Sequence, residues 1–139
     1  MVYNSPVNEL PQIVVGEGEE NRLSTLASSA MSAGRSEKVA QVLLSEMERA
    51  VVVPDAKVPE TVVRMNSRIV FSIDGGEKRE VELVFPGEAN IDQGKISVLT
   101  PIGSALIGLS SGQAMTVNGA DGRPHELTVI SVLPPRAEL

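Results

Sequence analysis

Cysteine and tryptophan are both missing from this 139-residue chain, and only one histidine, His125, stands in it. The lack of cysteine excludes disulfide frameworks, thiolate metal centres and cysteine nucleophiles together. Aromatic residues amount to 2%, namely Tyr3, Phe71 and Phe85. The core must therefore be built from Val, Ile, Leu, Met and Ala, and base-stacking platforms and aromatic-lined ligand pockets are largely excluded. No apolar run approaches the roughly 20 residues that span a bilayer. No basic segment followed by a hydrophobic stretch opens the chain, as a signal peptide would. A cytoplasmic protein with no membrane contact is the expectation. Positive charge is also short, with 12 Lys and Arg against 18 Asp and Glu, a net charge of −6. Such a chain gains little from counterion release on DNA or RNA, so strong free nucleic-acid binding is not expected, and a partner with a basic surface suits it better.

What is present is enough apolar material, 42%, for a packed core. Residues 1–12 read as a loose leader, and Pro134 to Leu139 as a loose tail. Ile13-Val14-Val15 is a short β-branched run broken by Gly16-Glu17-Gly18. From Glu19 the period becomes helical. Leu23, Leu26, Ala27, Ala30 and Met31 fall on one stripe, and the first-turn acids Glu17, Glu19 and Glu20 complement the helix dipole. Gly34 is the expected left-handed end of this helix, and Ser36 the expected N-cap of the next. Val39, Val42, Leu43, Met47 and Ala50 form the second stripe, widened by Ala40, Leu44 and Val51, with Glu46 and Glu48 on the polar flank. Two helices of about 14 residues make an antiparallel hairpin about 20 Å long.

Beyond the linker Pro54–Pro59 the period falls to two. Strands are expected over Ser67–Ile73 and Glu80–Phe85, joined by the turn Asp74-Gly75-Gly76. A final pair, Met115–Val117 and Glu126–Val132, flanks Asn118–Gly122. Asn66-Ser67 reads as a bulge or tight corner. Helices followed by strands give an α+β chain: a short N-terminal antiparallel helical hairpin over residues 13–53, then a compact, mostly antiparallel β domain with one short helix over 58–133.

The most informative segment is Ile96-Ser97-Val98-Leu99-Thr100-Pro101-Ile102-Gly103-Ser104-Ala105-Leu106-Ile107-Gly108-Leu109. Pro101 cannot donate to a central ladder but suits the first turn of a helix. Strand, sharp corner and apolar helix closing on Gly108 therefore follow in order, with Gly103 and Gly108 on turn and helix-end duty. An exposed corner on a rigid sheet is a natural contact point. No spacing for a metal site, a nucleophilic triad or a phosphate loop is found. His125 reads as an ordinary loop residue, Glu80 and Glu82 as a solvated strand face, and Arg64, Arg68, Lys78 and Arg79 as edge-strand solubility. No cofactor is expected.

Val63-Arg64-Met65-Asn66-Ser67-Arg68-Ile69-Val70-Phe71, Leu83-Val84-Phe85-Pro86 and the block Ile96–Gly112 resemble the C-terminal domain of the bacterial Gre transcript-cleavage factors. The likeness is stronger still to the related Rnk-type regulators of nucleoside diphosphate kinase, and takes in Ile13-Val14-Val15, Arg22-Leu23, Leu44, Glu46 and Arg49-Ala50. The resemblance implies an FKBP-like β domain that binds bacterial RNA polymerase at the rim of the secondary channel. Leu99, Thr100, Pro101 and Ile102 would then be the partner-binding residues, packed on a coiled coil there. In Gre factors a long hairpin enters the channel, and two acidic tip residues hold a catalytic Mg²⁺. Here the hairpin is short, and the tip Gly34-Arg35-Ser36-Glu37 offers one acid between Arg35 and Lys38. Gln113 also follows Gly112 where the family usually has Asp. The expectation is a monomeric, non-enzymatic transcription regulator that occupies the Gre site without stimulating cleavage. The alternatives are an active cleavage factor and a prolyl isomerase, the second opposed by the scarcity of aromatics.

Overall fold

The computed structural model describes residues 10–119 and 121–134; most of the expected leader, Tyr3, Ala120 and nearly all of the expected tail lie outside them. Strand β1 (Val14–Gly16) runs directly into helix α1 (Glu17–Ser32), and α2 (Glu37–Arg49) returns to β2 (Val51–Val53). β1 and β2 pair in parallel. The helix therefore starts two residues earlier than its apolar stripe indicates, and Val51 belongs to a strand and not to the second helix. Asp55, in a 3-10 turn after β2, explains the early start. Its Oδ1 accepts from the Gly18 amide at 3.0 Å, supplying from outside the helix the cap that Gly16 lacks. Gly18 and Gly16 fit because a Cβ on either would strike the Asp55 carboxylate.

The hairpin tip closes as a Schellman motif. The Gly34 amide donates to the Met31 carbonyl and the Arg35 amide to the Ala30 carbonyl, with Gly34 at φ +69°. Ser36 occupies the N-cap position of α2, but at φ +47° and with no side-chain bond to the helix; its carbonyl accepts from Ala40 instead. Leu23, Ala27 and Ala30 face Ala40, Leu43 and Met47 in the core, whereas Val42 points outward at 45% exposure. Two acids also depart from expectation. Glu46, expected on the polar flank, is 3% exposed and is gripped by Arg49 through bonds of 2.6 and 2.9 Å. Arg49 also donates to the Pro11 carbonyl at 2.6 Å. Glu19 turns inward, where Oε2 accepts from the Met65 amide at 3.2 Å and lies 3.6 Å from Arg64. Burial pushes its carboxyl above the ordinary value, partly offset by Arg64 and the Met65 amide.

The remaining strands, β3 (Arg68–Ile73), β4 (Arg79–Val84), β5 (Lys95–Ser97), β6 (Ala114–Asn118) and β7 (Pro124–Leu133), form one mostly antiparallel sheet in the order β5-β4-β3-β7-β6, with β4 and β5 parallel. The β3–β4 turn has Asp74 and Gly75 at positive φ and the Gly76 amide on the Ile73 carbonyl, the conformation that Asp-Gly favours in a hairpin. Asn66 makes the expected corner, at φ +71° with its amide on the Leu83 carbonyl. Helix α3 (Pro101–Leu106) packs against α2 and β6. It ends two residues short of Gly108, which is left free to approach Ile13 closely at φ +82°. One hydrophobic cluster includes Leu23, Leu43 and Met47 of the hairpin with Ile69, Phe71, Leu83, Leu106 and Leu127. Burial of these side chains, worth about 1.5–3 kcal/mol each, fixes α3 and the corner before it.

Candidate functional site

The corner is built by short-range hydrogen bonds. Val98 seals the end of β5, with its side chain fully buried and its amide on the Val84 carbonyl. Ser97 Oγ then accepts from the Leu99 amide at 2.9 Å. Thr100 is the N-cap of α3: its Oγ1 accepts from the Gly103 amide at 3.0 Å and donates to the Ser97 carbonyl at 2.7 Å. Pro101 follows at the first helical position, where its missing N–H costs nothing. Gly103 is not at a turn or helix end, as its spacing indicates, but inside α3. A Cβ there would collide with the Ser97 carbonyl and come within 2.9 Å of Thr100 Oγ1. Thr100, Ser97 and Gly103 thus lock the corner, leaving Pro101 exposed with Leu99 and Ile102 half-buried beside it.

Pro101, Thr100 and Ile102 also border an apolar groove of about 460 Å³ on the α3 side of the sheet. Phe71, Ile73, Val81, Ile96 and Val117 line it, with Arg79, Lys95 and His125 the only charged or titratable side chains there among the described residues. Composition alone argues against such a feature. One aromatic, Phe71, and the aliphatic residues of four strands suffice to form it. Ile91, 86% exposed, stands at its edge.

The hairpin tip lies apart. Gly34, Arg35, Ser36 and Glu37 are all exposed, as is Lys38. His125 does not sit in a loop but in β7, its two ring nitrogens facing Asp74 at 2.6 Å and Asp121 at 3.1 Å. No sequence signal marks this cluster, because its members are 51 and 4 residues from His125. Gln113 accepts from the Ser110 amide at 2.9 Å and donates from Nε2 to the Gln12 carbonyl at 3.2 Å. An Asp could make only the first bond, so Gln ties this turn to the segment just before β1. Arg22 lies over the Phe85 ring at 5.7 Å, a cation–π contact between α1 and the end of β4.

The family described as "Transcription elongation factor, GreA/GreB, C-term" matches residues 58–134, more than half of the chain and all of its large sheet. The chain belongs to the GreA/GreB transcription elongation factor family. Among its relatives is the regulator of nucleoside diphosphate kinase from Escherichia coli (strain K12), 32% identical over 106 residues, which are 76% of each chain. Another is transcription elongation factor GreA from Thermodesulfovibrio yellowstonii, 34% identical over 93 residues, or 66% of this chain and 58% of that one. The likeness extends to three dimensions. A solved prokaryotic transcription elongation factor GreA/GreB from Nitrosomonas europaea superposes with a TM-score of 0.68 at 28% identity, covering 90% of this chain and all of the other. Family membership makes this chain a transcription-factor-like regulator, and the corner and groove fall within the matched span. No helix among the described residues is long and apolar enough to cross a membrane.

Proposed function

We propose that the protein is a transcription regulator of the Rnk type that binds bacterial RNA polymerase at the secondary-channel rim without stimulating transcript cleavage. In this reading the unit at 58–133 is an FKBP-like docking domain and 13–53 a short coiled coil. Leu99, Thr100, Pro101 and Ile102 make the contact, and the protein acts as a monomer. The observation that carries it is the corner: a proline held outward by three local hydrogen bonds and by a glycine with no room for a side chain. Rigid exposed apolar residues lose little entropy on binding.

The absence of cleavage rests on the hairpin. Helices of 16 and 13 residues reach about 24 and 20 Å. Its tip has one carboxylate, Glu37, between Arg35 and Lys38, whereas a Mg²⁺ held by protein needs converging acids. Occupying the rim without delivering a catalytic tip would exclude Gre-type factors. The test is capture of core polymerase by the purified protein, with and without a Gre competitor, followed by assay of a stalled elongation complex. Complex formation, displacement by the competitor and an unshortened transcript are expected. Failure to capture polymerase refutes the docking. Transcript shortening that Glu37→Ala abolishes refutes the non-cleaving role. The groove beside Pro101 favours a second reading, prolyl isomerisation, which turnover of a proline peptide above background would establish.

A further inference from the structure

His125 faces a carboxylate through each ring nitrogen. Nδ1 is 2.6 Å from Asp74 Oδ2, and Nε2 is 3.1 and 3.2 Å from the two oxygens of Asp121. A neutral imidazole has one N–H and one lone pair. With two ionised carboxylates it can satisfy only one, and the other contact sets lone pair against lone pair. Both contacts are attractive only for the imidazolium, which donates twice.

The two acids belong to different connections. Asp74 is in the β3–β4 turn, where its amide donates to the Glu126 carbonyl and its Oδ1 accepts from the Glu126 amide, both at 2.8 Å. It is anchored with or without the histidine. Asp121 is in the β6–β7 loop, and its carboxylate also accepts from the Arg123 amide, two residues away within that loop. The loop turns through Gly119 and Gly122, whose amides bond within the loop itself. His125, Asn118 and Gly119 also form one end of the apolar groove.

We propose that His125 is a proton-operated latch, which when charged ties the β6–β7 loop to the anchored β3–β4 turn and when neutral releases the loop at Asp121. The short contact to Asp74 survives deprotonation with Nδ1–H donating. The Asp121 contact is the one that opens, freeing the loop wall at that end of the groove.

The two acids that flank the ring favour the closed state. Asp74 and Asp121 face the ring from the two connections, and Val117 and Asn118 of β6 bring no charge. Arg79 of β4 and Lys95 of β5 are the other charged groups lining the groove. Hydrogen bonds to Asp74 and then Asp121 hold the imidazole above its ordinary value. Asp74 is lowered chiefly by His125, and Asp121 chiefly by the Arg123 amide and then by His125. The sign follows from linkage. The raised imidazole contributes fully below pH about 6.5 and loses its contribution as pH rises through its raised value. The lowered acids contribute above about pH 3.9 and lose theirs as pH falls through their lowered values. The latch is closed between these limits and opens on the alkaline side.

His125 is the only histidine, so its imidazole signals are unambiguous in an NMR titration of the full chain. The midpoint is expected above pH 6.5, with the Gly119, Gly122 and Arg123 amide shifts following the same curve. In the Asp121→Asn variant, an exposed change that spares the core, the midpoint should fall and the loop amides should cease to follow the imidazole. In His125→Gln the loop should show no transition over this range. A midpoint at or below pH 6.5, loop amides that stay flat while the imidazole titrates, or an unchanged loop transition in His125→Gln would each overturn the proposal.

Discussion

Replacing Thr100 with Val keeps the side-chain shape and removes its hydroxyl, and with it two bonds that define the corner. The Gly103 amide loses its cap acceptor and the Ser97 carbonyl loses its donor. Loss of an N-cap costs about 0.5–2 kcal/mol, and an ordinary neutral hydrogen bond contributes about 0.5–1.5 kcal/mol. Both groups are only part-buried, so water recovers some of the loss and about 1–2 kcal/mol is expected in all. For a chain of this size that is a fall in Tm of roughly 3–8 °C. Urea unfolding read by far-UV circular dichroism gives the number, and the m-value should not change. Thr100→Ser keeps the hydroxyl and should remain within about 0.5 kcal/mol of the parent. A Thr100→Val protein as stable as the parent, or a Thr100→Ser protein as damaged as Thr100→Val, would refute the reasoning that the hydroxyl holds this corner.

Leu43→Ala should cost about 2–5 kcal/mol, because the side chain is fully buried, whereas Val42→Ala one position away should stay within about 0.5 kcal/mol; urea midpoints of the two test which members of the apolar stripe of α2 reach the core. Glu19→Gln keeps an oxygen for the Met65 amide and removes a carboxyl whose buried neutral form the fold favours. Because the raised group stabilises below the ordinary Glu value and loses that contribution as pH rises through its raised value, the variant should unfold no more easily than the parent at pH 7.5, and its stability should fall less as pH rises from about 4 to 7.5. A loss above about 1 kcal/mol at pH 7.5 would contradict this. Arg49→Ala strands the buried Glu46 carboxylate and should cost about 3 kcal/mol or more; adding Glu46→Gln should recover part of that loss in a double-mutant cycle.

Much of this architecture was legible where one physical signal dominated. Two apolar stripes at helical spacing gave the hairpin, Gly34 its end, Asp74-Gly75 the turn between β3 and β4, and Pro101 the start of α3. The misreadings share a cause, since each depends on a partner that the local apolar pattern does not register. Glu17 and Gly18 join α1 because Asp55 caps it from 37 residues away. Glu19 is inward because the Met65 amide awaits it 46 residues on, and Glu46 is buried because Arg49 also reaches Pro11. Gly103 reads as a turn glycine until the Ser97 carbonyl is seen against it. The groove escaped notice because aliphatic side chains from separate strands form it, and the His125 cluster because a hairpin turn and a loop meet only in the folded sheet.

The central claim is that Pro101 and its neighbours dock on RNA polymerase. The most direct measurement is the affinity of core polymerase for the parent and for Pro101→Asp, with unfolding curves recorded for both. Pro101 is exposed and has no amide hydrogen bond to lose, so the substitution should leave stability within about 1 kcal/mol. Placing a charge at the contact should weaken binding by about 2 kcal/mol or more, roughly 30-fold or greater. Equal affinity of the two proteins, at equal stability, would contradict the account.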